Sequence, residues 1–223
     1  MDNTEKDTIR RNLYGRRGSR LRGVRRDTFE ARRARYSALA QDGALSAGAA
    51  GDVWLEVGFG AGEHLVAQAQ ANPDVILIGC EHYVDGVASC LSKLEAEDVG
   101  NARVHHGDAR DLMDAVTDGG IARAFLLYPD PWPKAKHHKR RFINPENLDS
   151  FARVLRDGAH LRVASDIPDY IDWTREHVGP HPAFSLVSDT GDAWSDWPGT
   201  RYEAKALREG RIPAYLTYER VPR

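Results

Sequence analysis

Between residues 52 and 220 the apolar positions fall into short runs and helical stripes that take turns along the chain. Val53-Trp54-Leu55-Glu56-Val57 is a mostly apolar run ending at glycines, the pattern of a strand buried on both faces. His64 to Asn72 has helical spacing and is stopped by Pro73. Val75 to Cys80 reads as a second buried strand. Val84, Val87, Ala88, Leu91 and Leu94 then mark a helix over Val84 to Glu97. Val104 lies in a short third strand, Ala122 to Leu127 form a fourth, and Leu161 to Ala164 a fifth. Helices are predicted at Asp111–Val116 and Pro145–Leu155, the latter opened by Asn144 as cap and Pro145 at its first position. Phe184–Val187 and Ala214–Glu219 alternate as an antiparallel pair at a sheet edge. The order predicts an α/β fold: a seven-stranded, mostly parallel, doubly wound sheet with an antiparallel edge strand.

The first 40 residues break this pattern. They hold few aliphatics and many arginines, as in Arg16-Arg17-Gly18-Ser19-Arg20, and read as a flexible basic arm with Thr28 to Leu39 possible as helix. The division expected is an arm over 1–40 and a catalytic domain over 41–223. The formal net charge of −2 hides a sharp asymmetry. Residues 1–35 carry twelve bases and five acids, a charge of +7, and the remainder is −9. A polyanionic partner is the first expectation from such an arm, a merely solvated tail the second.

Composition narrows the class. No apolar run approaches the roughly 18 residues of a membrane span, and no apolar leader follows Met1. Cys80 and Cys90 are the only cysteines, with no CxxC pair, and no HExxH occurs. Neither a disulfide framework nor a metal site is expected, and a cytoplasmic location is.

Glu56-Val57-Gly58-Phe59-Gly60-Ala61-Gly62 lies where the first strand gives way to the first helix of the alternation. Gly58, Gly60 and Gly62 let the backbone turn tightly against a ligand. Their spacing is G-x-G-x-G, and Glu63 stands where a dinucleotide fingerprint needs glycine. Carboxylates at a helix start disfavour a pyrophosphate. An acidic turn with Glu56 and Glu63 better suits S-adenosylmethionine, whose ammonium and sulfonium are cationic. Glu81 ends the second strand, where it could accept both ribose hydroxyls, and Asp108 follows the third, where adenine contacts fall.

Phe125 to Leu127 lead into Tyr128-Pro129-Asp130-Pro131-Trp132-Pro133. Two prolines hold Asp130 in place, and Trp132 offers a face for a base. Lys134-Ala135-Lys136-His137-His138-Lys139-Arg140-Arg141 follows with five fixed cations and no acid, a nucleic-acid footprint beside a stacking aromatic.

The glycine turn, the Tyr128–Lys134 loop and His137-His138-Lys139-Arg140-Arg141 together resemble the bacterial tRNA (guanine-N7-)-methyltransferases. Ser165-Asp166 and Thr200-Arg201-Tyr202-Glu203 are similar to two later motifs of that family. The resemblance covers roughly residues 52 to 220. It implies a Rossmann-like class I methyltransferase fold. The implied reaction is methylation of N7 in the variable-loop guanosine of tRNA, position 46 by tRNA convention. By residue match, Glu56, Glu81, Asp108 and Asp130 would line the donor, with Asp130 catalytic. Lys134, Asp166 and Thr200, Arg201, Tyr202 and Glu203 would hold the substrate. Ser165 replaces the usual threonine, and Arg201 and Tyr202 replace lysine and phenylalanine.

Guanine N7 has an exposed lone pair, so positioning matters more than a strong base. Asp130 could accept guanine N1–H and N2–H, selecting guanine and stabilising the ring as positive charge develops. Asp166 and Glu203 are alternative acceptors. The competing readings are an amino-group methyltransferase acting on adenine or cytosine, and a non-catalytic RNA-binding protein with a vestigial cofactor site.

Overall fold

A computed structural model of the chain describes residues 24–40, 45 and 51–223. Its seven strands are β1 (Val53–Val57), β2 (Ile76–Glu81), β3 (Ala102–His106), β4 (Ile121–Leu127), β5 (Leu155–Ser165), β6 (Phe184–Thr190) and β7 (Ala214–Arg220). They form one sheet in the order β3-β2-β1-β4-β5-β7-β6. Neighbours from β3 to β5 are parallel, and β7 runs antiparallel to both β5 and β6. The single reversed strand therefore lies one place in from the edge.

Among the described residues seven α-helices accompany the sheet: α1 (Val24–Arg35), α2 (Glu63–Ala71), α3 (Val84–Ala96), α4 (Ala109–Asp114), α5 (Pro145–Val154), α6 (Pro168–Val178) and α7 (Arg201–Arg208). Successive side chains of a strand point to opposite faces. Leu55, Val57, Ile78 and Leu126 accordingly join one core with Leu112, Phe151 and Tyr170 from α4, α5 and α6. Trp54, Leu77 and Phe125 join the other with Leu65 and Leu91 from α2 and α3. Both faces are covered, as a parallel sheet requires.

Three features depart from the hydrophobic pattern. β5 begins six residues before Leu161, because Arg156, Asp157 and Gly158 are exposed and the register with β4 shifts there. α6 buries Tyr170, Ile171, Thr174 and Val178 on one face, but the charged residues Asp169, Asp172, Arg175 and Glu176 interrupt the pattern, and α7 buries Ala206 alone and gives no apolar stripe.

The third departure concerns the domain boundary. Phe29, Tyr36 and Ala38 are buried among the residues of the sheet and α3. Arg32 reaches Glu95 at 2.6 Å and Ser92 at 2.9 Å. The backbone of Tyr36 and Ala38 hydrogen-bonds Val104 on β3, closing an edge that would otherwise be open. Side chains from Phe29 onward thus pack on the sheet within the segment expected as an arm. Residues 1–23 of that predicted arm lie outside the described residues.

Candidate active site

All parallel strands end on one side of the sheet, and there a cavity of about 540 Å³ opens. Its floor is the glycine turn after β1. Gly58, Gly60 and Gly62 have φ of +76°, +59° and +83°, conformations that L side chains adopt only with strain. Gly58 N–H donates to the Cys80 carbonyl at 2.8 Å, and Gly60 N–H donates to Glu81 Oε2 at 2.9 Å. A methyl on Gly58 would meet no neighbour within 4 Å, whereas one on Gly62 would lie 2.5 Å from Cys90 Sγ. The turn is open where it faces the cavity and closed where α2 meets α3.

Glu81, at the end of β2, uses both carboxylate oxygens locally: Oε1 accepts Tyr83 N–H at 2.8 Å, Oε2 that of Gly60. Burial raises its pKa, against the lowering effect of these two hydrogen bonds. Asp108 follows β3 and caps α4, accepting Arg110 N–H at 2.9 Å. The Arg110 guanidinium grips the same carboxylate, its Nε 2.9 and 3.0 Å from the two oxygens. Glu81 and Asp108 both line the cavity, at adjacent strand ends.

Asp130 comes from β4. Tyr128 and Trp132, on either side of Pro129-Asp130-Pro131, have φ of +48° and +44°. Non-glycine residues in that region cost on the order of 1–3 kcal/mol each and persist only where the surroundings enforce them. Here Tyr128 N–H donates to the Ala164 carbonyl at 2.7 Å, and Arg141 Nε donates to the Pro131 carbonyl at 2.9 Å. Asp130 keeps much of its surface, yet the cavity walls crowd its carboxyl and the lost hydration raises its pKa. Among the described residues no cation pairs with it.

The basic tail forms a short 3₁₀ helix over Ala135–Arg140. Lys134, Lys136 and Lys139 are exposed, and His137 and His138 are partly covered. Lys139 and Arg140 line the cavity, and Arg140 stacks over Trp132 with its Cζ 4.8 Å from the ring centre. Arg141, although it borders the cavity, is not available to RNA phosphates. It is 1% exposed, hydrogen-bonded to Pro131 and Asp169, and packed over Trp173. It anchors the loop instead.

Four other predicted site residues, Glu56, Asp166, Thr200 and Glu203, stand outside the cavity lining. Glu56 is 2% exposed and lies 2.8 Å from His64 Nδ1, on the face of β1 away from the cavity. Asp166 accepts Arg211 Nε. Glu203 accepts Trp197 Nε1 at 2.8 Å and the Tyr215 hydroxyl, while Thr200 caps α7 by accepting Glu203 N–H at 3.1 Å. Arg201 and Tyr202 do reach the cavity, where a methyl on Gly60 would sit 3.2 Å from the Tyr202 ring. Tyr83, Asn144 and Asn147 line it too. Their signal in the sequence is positional: Tyr83 follows the second strand, Asn144 is the helix cap and Asn147 lies in the first turn after it.

Residues 50–214 match a protein family described as "Putative methyltransferase". The chain is 58% identical over 168 residues to the tRNA (guanine-N(7)-)-methyltransferase of Paracoccus denitrificans, a stretch covering 75% of this chain and 72% of that protein. It is 51% identical over 175 residues to the enzyme of the same name from Rhodospirillum rubrum, covering 77% and 69%. The chain belongs to the tRNA (guanine-N(7)-)-methyltransferase family. The solved 16S rRNA methyltransferase KamB shares the fold, with a TM-score of 0.58 at 18% identity over 92% of this chain and 98% of that one.

Within this methyltransferase the turn glycines differ in what they tolerate. Gly62→Ala combines the strain of φ +83° with a clash against Cys90 and is expected to lower stability by roughly 2–4 kcal/mol. Gly58→Ala, with open space around it, should cost only about 1–2 kcal/mol. Denaturant unfolding of the two variants checks the order.

Proposed function

We propose that this methyltransferase transfers a methyl group from S-adenosyl-L-methionine to N7 of guanosine 46 in the variable loop of tRNA, giving 7-methylguanosine. The observation that carries the reading is the position of Asp130. Of the three carboxylates considered for guanine, it alone lines the cavity, whereas Asp166 and Glu203 are engaged behind it. The names of the relatives support the same substrate.

The cavity suits the methyl donor in size and in charge. About 540 Å³ falls within the usual range for small-ligand sites. Its floor leaves room above Gly58, and the carboxylates of Glu81 and Asp130 suit a cationic ligand, while Arg110 already neutralises Asp108. When bound, S-adenosylmethionine supplies an electrophilic methyl on a sulfonium. Glu81 receives the ribose hydroxyls on its remaining lone pairs, and Asp108 stands at the adenine end. Gly58, Gly60 and Gly62 shape the floor, and Glu56 supports it from behind through His64.

Asp130 accepts guanine N1–H and N2–H, fixing the ring so that N7 faces the methyl group. Adenine offers no such pair of donors. Trp132 and Tyr202 wall the site and exclude water. Lys134, Lys136, His137, His138, Lys139 and Arg140 hold RNA phosphates. Residues 1–23, with seven bases and three acids, add affinity for the same polyanion. A tRNA substrate makes the cytoplasm the place of action. Among the described residues no helix is long and apolar enough to cross a membrane.

Labelled donor and two tRNA transcripts, carrying guanosine or adenosine at position 46, test the substrate. Label should enter only the first. Glu81→Ala is expected to weaken donor binding by about 1–3 kcal/mol, the value of hydrogen bonds to a charged group. Calorimetry reads it directly, and Glu81→Gln, which keeps one acceptor, should fall between the variant and the natural protein.

A further inference from the structure

Beyond Arg201 and Tyr202, which border the cavity, the solvent face of α7 has no role in the chemistry above. Arg201, Lys205 and Arg208 follow at i, i+4 and i+7 and so share one stripe of the helix. Ala206 is wholly buried and Glu203 turns inward to Trp197 and Tyr215, which aims that stripe at water. All three bases are exposed. The stripe starts at the cavity, which Arg201 lines together with Lys139 and Arg140. Two acids face the stripe: Glu209, whose Oε1 is 3.9 Å from Lys205 Nζ and which Arg211 already neutralises, and Glu63, which lies near Arg201 and is paired with Lys93. Arg208 makes no ion pair among the described residues. Beyond residue 35 acids outnumber bases by nine, so bases gathered at this mouth run against the trend of the chain.

We propose that Arg201, Lys205 and Arg208 form a phosphate track for the RNA strand leading away from the target guanosine. The inference rests on the tRNA reading and extends it beyond the cavity. The helix rises about 10 Å from Arg201 to Arg208, long enough to lie along a few consecutive phosphates of one strand. The Thr200 cap and the Glu203 contacts fix the helix, so the track is preorganised and needs little ordering when RNA binds.

The test is the full chain with Lys205→Ala and Arg208→Ala combined, two residues outside the cavity. Donor affinity by calorimetry is expected to stay at the natural value, which shows that the fold is intact. The KM for tRNA should rise roughly tenfold with kcat at saturating tRNA kept, and the log–log salt slope of tRNA binding should fall by about 1.5. Lys205→Gln with Arg208→Gln should give the same slope, which separates charge from helix propensity. An unchanged KM and slope, in a protein that methylates tRNA, overturns the track alone and leaves a solvated stripe. A natural protein that neither binds nor methylates tRNA overturns the track and the tRNA reading together.

Discussion

Asp130→Ala is expected to lower kcat by a factor on the order of 10² or more, with the fold retained. Asp130 makes no ion pair among the described residues, so its removal leaves no partner stranded. What is lost is the acceptor that would orient guanine and stabilise positive charge in the ring. Asp130→Asn should be nearly as slow, since an amide presents a donor where guanine also presents one. The pH profile follows from the same group. Lost hydration raises the Asp130 pKa, and only its ionised form accepts two N–H groups. kcat/KM should therefore fall on acidification at a pH above the ordinary aspartate value of about 3.9. The stability effect has the opposite sign. A carboxyl whose pKa is raised by folding favours the folded state at low pH and loses that contribution as pH rises through the folded pKa. Asp166→Asn and Glu203→Gln, which act from behind the wall, should change kcat less than Asp130→Ala. Near-normal turnover of Asp130→Ala would instead pass base recognition to one of them.

Arg141→Met is expected to cost about 2–4 kcal/mol of stability and to slow turnover as well. The Arg141 side chain is wholly buried, and its contacts with the Pro131 carbonyl and with Asp169 tie the Asp130 loop to α6. Methionine can fill much of the space but leaves that carbonyl without its donor. The loop also holds two strained aromatic residues, Tyr128 and Trp132, so losing the anchor lets the strain relax and Asp130 move. The ion pair contributes to that cost. Asp169 is 62% exposed but Arg141 is buried, so Asp169→Ala leaves the guanidinium without its carboxylate and should destabilise as well, while the hydrogen bond to the Pro131 carbonyl is kept. Denaturant midpoints and kcat for the two variants decide the matter. A natural midpoint for Arg141→Met would refute the anchoring role.

The fold was legible where a strand is buried on both faces. Val53–Val57 and Ala122–Leu127 announce themselves as apolar runs because nothing along them meets water. The start of β5 did not, since its bulged residues are polar and exposed. α7 stayed hidden because one buried alanine gives no stripe. Charge misled at the other end, where arginines in 24–35 masked the docking of Phe29 and Tyr36. In the site, Gly58, Gly60, Glu81, Asp108 and Asp130 could be placed from sequence because strand ends of such a sheet face its ligand crevice. The roles of Glu56, Arg141, Asp166 and Glu203 could not. Each is decided by a partner 6 to 45 residues away: His64, Asp169, Arg211 and Trp197. Residue type and spacing say that such a group is charged, not which way it turns.

The proposed reaction meets its most direct test in the chemical identity of the product. Transfer RNA methylated by the purified protein is digested to nucleosides, and these are separated and weighed. 7-Methylguanosine as the sole new methylated nucleoside is the predicted result. 6-Methyladenosine or a methylated cytidine would contradict it and assign the Asp130 loop to an exocyclic amino group instead.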